Sequence, residues 1–232
     1  MDIEEYFSKL NLESQKIFSQ TISEKEKLGT LHHLSSCIYE FAKCLPDPQE
    51  RVILVTVSAQ LESATFNLAL GLYRQAFASL RLAFEMGLAA IYFSVNKMEL
   101  HEWLDGRSDI KWTNLVDEEK GVLSKRFAKA FFSECSEHID NYREKALTTY
   151  RKLSEYVHGN NETWEKSGLK LKYNDTLFEL YFKYHKSVSE VILFAAVCRY
   201  IKLFSDSTRE TLQFIPEEFN NISTIRELFG RT

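Results

Sequence analysis

Apolar residues recur along most of this chain at three- and four-residue steps, the spacing of one helix face. Ile3, Tyr6, Phe7, Leu10, Ile17 and Phe18 mark a first helix within Met1–Lys27, and Leu31, Leu34, Ile38, Phe41 and Leu45 mark a second. Pro46-Asp47-Pro48 closes the second and opens a third, with Asp47 as cap and Pro48 in the first turn. From Gln49 to Leu70 the β-branched run Val52–Val57 continues into Ala59, Leu61, Ala64, Phe66 and Leu68. That run is too long for a strand. Gly71 marks a reversal, and Leu72 to Val95 forms a fourth helix, apolar nearly all round. A helix of that kind is central to its domain.

Further along, the pattern predicts a short helix over Met98–Asp105 and a connection over Arg107–Val116 that carries Trp112. Helices follow over Asp117–Phe132 and from about Glu134 to His158. A polar loop spans Asn160–Asn174, a last long helix covers Asp175–Phe204, and one further turn lies around Ser223–Phe229. The fold class is therefore all-α, a helical bundle built on an antiparallel hairpin of two long helices. Residues 46–232 make up the bundle domain. Residues 1–45 form a helical segment that packs on the bundle or extends from it as an exchangeable arm.

Composition supports long elements: 232 residues contain 3 Pro and 8 Gly, with 44% hydrophobic and 27% charged positions. A formal net charge of −4 carries no general nucleic-acid signature but leaves room for a local basic site. Lys120, Lys125, Arg126 and Lys129 form a cationic face that suits solvent, or a polyanion. Cys37, Cys44, Cys135 and Cys198 have no Cys-x-x-Cys spacing, and the adjacent His32 and His33 point in different directions on a helix. The expectation is buried thiols, no metal and no cofactor. The chain opens without a basic region followed by an apolar one, and its apolar runs are short or broken by Arg74, Arg81 and Glu85. A soluble cytoplasmic protein without a membrane span is expected.

Gly-rich phosphate loops, His-Glu-x-x-His and Gly-x-Ser-x-Gly are absent from the sequence. What remains is Arg151 and His158, seven positions apart. Seven steps of about 100° return nearly to the starting direction, so both leave one helix face about 10 Å apart along the axis. Ser154 and Glu155 lie between them, Tyr150 and Lys152 flank the arginine, and Gly159-Asn160 stops the helix. A structural alternative stands beside this one: Arg151 paired with Glu155, and His158 at a helix end. Arg81 and Glu85, four apart on the central helix, are a core ion pair or a polar wall of the site; Glu62 is another candidate partner. His138 reads as a surface residue.

The segment Tyr150-Arg151-Lys152-Leu153-Ser154-Glu155-Tyr156-Val157-His158-Gly159 resembles the Arg-x4–6-His signature of the HEPN superfamily of helical-bundle proteins. Gly71-Leu72-Tyr73-Arg74-Gln75-Ala76 and Leu80-Arg81-Leu82-Ala83-Phe84-Glu85 resemble that group's central helices, and the likeness in helix order spans Pro48 to Phe204. The resemblance implies a metal-independent endoribonuclease whose active site is completed by homodimerisation. It would be a toxin or effector in bacterial stress or phage defence, with RNA as substrate and an antitoxin or defence-complex protein as partner. His158 would be the general acid–base and Arg151 the phosphate clamp. Tyr150, Lys152, Ser154, Glu155, Asn160, Arg81 and Glu85 would bind substrate or support the pair. The alternative is a non-catalytic HEPN-like module that binds a protein or nucleic acid.

Overall fold

The computed structural model describes residues 2–159 and 171–231. Among the described residues the chain is all helix and connection, with no strand. The long elements are α1 (Ile3–Thr21), α2 (Lys25–Lys43), α3 (Pro48–Ala69), α4 (Tyr73–Phe93), α8 (Ile139–Val157) and α9 (Asp175–Tyr200). Between α4 and α8 lie α5 (Lys97–Leu104), α6 (Trp112–Leu115), α7 (Lys125–Phe131) and a 3-10 turn, Ser133–Glu137. After α9 come a 3-10 turn, Ile201–Leu203, and the short tail helices α10 (Asp206–Glu210), α11 (Ile215–Glu218) and α12 (Ser223–Leu228).

Local chemistry accounts for the boundaries. Asp47 accepts hydrogen bonds from the Gln49 and Glu50 amides at 2.8 and 3.1 Å, and Pro48 sits in the first turn of α3, as its missing N–H allows. Gly71 turns the chain with φ of 78°, and a Cβ there would meet Ile17 at 2.6 Å. The same turn anchors α1, whose Ser14 hydroxyl donates to the Leu70 carbonyl. The rest of α1 is mostly exposed, whereas α2 sends Leu31, Leu34, Ile38 and Phe41 into the core.

Helix α4 is central. It forms the hairpin with α3 and also packs on α8 and α9. At Gly87 it comes so close to α9 that an added Cβ would lie 2.4 Å from Ile192. By length and apolar composition α3 and α4 both meet the requirement for crossing a membrane, as core helices of soluble proteins also do; here most of α4 is buried inside the bundle.

One predicted helix is shorter in the structure. Over Asp117–Phe132 only Lys125–Phe131 is helical. The Asp117 carboxylate accepts from the Glu119 and Lys120 amides, and the Val122 amide bonds to the Leu115 carbonyl. These bonds satisfy the backbone as a turn, the usual competition that Asp offers a helix. Ser124 then caps α7 through the Phe127 amide. Helix α8 also starts later than the sequence pattern predicts, after the 3-10 turn. The tail has three short helices where one turn was expected. Glu62 accepts from His32 at 2.9 Å rather than partnering Arg81.

Glu50 and His185 are buried in the core. Glu50, 3% exposed, takes Lys97 and the Tyr200 hydroxyl (2.6 Å), tying the starts of α3 and α5 to the end of α9. His185 on α9 is fully buried, and burial holds its pKa down at about 3. Below pH 6.5, the ordinary histidine value, the unfolded chain takes up a proton that the folded chain refuses until about pH 3. Stability therefore falls with pH through that window, by about 2 kcal/mol between pH 7 and 5. Urea midpoints at pH 7 and 5 should differ less in His185→Phe than in the wild type. Equal differences in the two proteins would refute the assignment.

Candidate functional site

Helix α8 buries Ile139, Tyr142, Ala146, Thr149, Leu153 and Tyr156. Arg151 and His158 are each two residues, about 200°, from a buried neighbour (Leu153 and Tyr156), so they crown the opposite side. Both are exposed. His158 is the cap residue of α8, with φ −90° and ψ 5°, and its amide bonds to the Ser154 carbonyl at 2.9 Å. Gly159 follows with φ of 70°, the left-handed stop expected from the sequence.

Two different flanks border this ridge. On one side Tyr150 leans toward α4 and α6. Its hydroxyl donates to Glu85 Oε1 at 2.6 Å and accepts from Arg81, while Arg81 also reaches Glu85 at 3.2 Å. Trp112 stacks on the Tyr150 ring at 3.7 Å, nearly parallel, and the Arg81 guanidinium lies 4.7 Å from the ring centre. Burial raises the Tyr150 pKa, Glu85 adds to the shift, and Arg81 opposes it. The phenol is thus a fixed donor. Arg81 and Glu85 form the predicted ion pair, and they touch the site helix through Tyr150.

On the other flank an open groove of about 510 Å³ runs between α8 and α9, with Lys145, Thr148, Lys152, Lys183 and Tyr184 in its walls. Lys145 pairs with Glu190 at 2.7 Å and Lys152 with Glu155 at 3.0 Å. The Ser154 hydroxyl donates back to the Tyr150 carbonyl at 2.8 Å, leaving its lone pairs to accept. Asn160 lies outside the described residues, as does most of the loop that follows it.

Among the described residues, three stacked ring pairs seat α8. Tyr142 stacks on Phe194 at 3.6 Å, Tyr156 on Phe77 at 3.9 Å, and Tyr150 on Trp112. Tyr150→Phe keeps the last of these and removes the hydroxyl between Arg81 and Glu85. A loss of about 1–2 kcal/mol in urea unfolding is expected, because two half-buried charged groups each lose a bond. An unchanged midpoint would mean that the hydroxyl contributes nothing.

The structure also assembles a cluster that sequence reading passed over. His33 and Cys37, one turn apart on α2, meet Glu218 of α11, with ligand-type atoms all within 4.8 Å of one another. Burial, aided by Glu218 and Glu217, pushes the Cys37 thiol up to about 12. The His-x3-Cys spacing was visible in the sequence. The third residue, 181 positions further on, carried no local signal.

Searches with family models, against curated proteins and against solved structures find no match to this chain.

Proposed function

We propose that this protein is a HEPN-like, metal-independent endoribonuclease that acts as a homodimer in the cytoplasm, as a toxin or effector of bacterial stress or phage defence. The observation that carries this reading is the placement of Arg151 and His158. They stand together on the outward ridge at the end of α8, a helix held to α4 by Tyr150, Arg81 and Glu85.

The chemistry needs three operations. The RNA 2′-oxygen attacks phosphorus as its proton passes to an imidazole. The bond from phosphorus to the 5′-oxygen breaks as a second, protonated imidazole gives that oxygen a proton. A guanidinium fork holds the phosphate oxygens, which Arg151 can do bidentately. The products are a 2′,3′-cyclic phosphate and a 5′-hydroxyl. Each chain offers one His158, and a two-fold dimer offers both imidazoles and both arginines. Lys152 and the α8–α9 groove would track the neighbouring backbone. Ser154, Glu155 and Asn160 would contact the ribose or base.

One observation favours a second reading, a non-catalytic module that binds a partner protein such as an antitoxin. Val52, Leu82 and Leu104 are about half exposed around an apolar groove of about 220 Å³ between α3, α4 and α5. The two readings separate on purified protein incubated with single-stranded and structured RNA in EDTA. Fragments ending in 2′,3′-cyclic phosphate support the nuclease. Intact RNA, with a stable complex formed by the product of a neighbouring gene, supports the module. A strictly monomeric protein would count against the composite site.

A further inference from the structure

We propose that His33, Cys37 and Glu218 form a three-ligand binding site for a zinc-class divalent cation, separate from the α8 ridge and independent of the nuclease reading. His33 Nε2 lies 3.4 Å from Cys37 Sγ and 3.1 Å from Glu218 Oε1. Metal bonds of about 2.0 Å to nitrogen and oxygen and 2.3 Å to sulfur, at tetrahedral angles, put ligand atoms roughly 3.3–3.5 Å apart. The two observed separations already have that size, and the remaining edge, between sulfur and carboxylate, is within 4.8 Å. Closing that edge to about 3.5 Å would place all three atoms around one ion.

The donor set identifies the class of ion. An imidazole, a thiolate and one carboxylate suit zinc and its neighbours, whereas calcium and magnesium take oxygen ligands. On binding, the Cys37 S–H bond gives way to a sulfur–metal bond and the proton leaves to solvent. His33 contributes its neutral ring. Glu218 supplies the negative charge that, with the thiolate, neutralises the dication. The fourth position opens outward, since the His33 and Glu218 side chains are 52% and 29% exposed, and a water molecule would occupy it.

The same three residue types could make a hydrolytic relay, but the geometry disfavours one. A relay needs the thiol on one ring nitrogen and the carboxylate on the other. Here Nε2 faces both at close range, while Nδ1 is 4.0 Å from the sulfur. Cys37 is also only 3% exposed, so its sulfur cannot meet a substrate. What the cluster does is join α2 to α11. A bound ion would fasten the tail to the body of the bundle.

The test uses the full chain, stripped with EDTA, desalted under a non-thiol reductant and titrated with cobalt(II) as the spectroscopic probe. One equivalent should produce the intense visible bands of tetrahedral cobalt and a near-ultraviolet thiolate-to-cobalt band, and zinc should bleach both. Cys37→Ser should lose the thiolate band, and Glu218→Gln, which preserves shape, should weaken binding at least about tenfold. At one zinc concentration the melting temperature should rise more in the wild type than in Glu218→Gln. A pale octahedral spectrum, or a thiolate band that persists in Cys37→Ser and so arises from another cysteine, overturns the site. So does undiminished affinity in Glu218→Gln.

Discussion

His158→Ala is expected to abolish RNA cleavage in EDTA, with a loss of about 10²–10⁴-fold or more. Positioned proton transfer contributes on that order for one group, and in a two-fold dimer the substitution removes base and acid together. His158 is exposed at the end of α8, and the helix is closed there by its backbone amide and Gly159 rather than by its ring. The variant should therefore keep the wild-type melting temperature and dimer mass while losing activity. Arg151→Lys retains a positive charge but not the planar fork, so it should fall between wild type and Arg151→Ala. Initial rates on a labelled RNA and analysis of the cleaved ends decide the matter. Cleavage that survives His158→Ala removes the histidine from the mechanism.

The second large effect concerns stability. Phe194→Ala should lower stability by about 3–5 kcal/mol, the range for emptying a core aromatic site. In a chain of this size that corresponds to a fall of about 6–20 °C in melting temperature. Phe194 is fully buried on α9, stacks on Tyr142 of α8, and lies 6.2 Å from the Phe219 ring of the tail. One side chain thus joins the site helix, the last long helix and the tail. Phe194→Leu keeps most of the volume and should cost markedly less. Thermal melts of the two variants check this, and a similar small loss in both would show that the site repacks freely.

The long helices were legible because their apolar faces repeat over many turns. The Pro46-Asp47-Pro48 break and the Gly71 reversal were legible because backbone chemistry leaves few alternatives there. Asp117–Phe132 misled for the opposite reason. Its spacing fits a helix, but Asp117 gives the backbone another set of partners. Of the site, the exposed Arg151–His158 ridge and the Arg81–Glu85 pair followed from helical register. The insertion of Tyr150 between Arg81 and Glu85, and the Trp112 ring against it, are contacts between separate helices that spacing on one helix cannot encode. Glu218 is the extreme case, since nothing near it in the chain points to His33.

The α3–α4 hairpin also has a kinetic consequence. Its helices are consecutive and joined by a tight reversal, so bringing them together costs little loop-closure entropy, and contacts so near in sequence favour rapid formation. The pairing of α2 with α11 spans most of the polypeptide and must wait until residues near 218 have left the ribosome. An emerging chain would hold a finished central hairpin while the surface of α2 that receives the tail was still bare. In that interval Tyr142 and Phe194, which the Phe219 ring of the tail later meets, would be open to chaperones or to a second nascent chain.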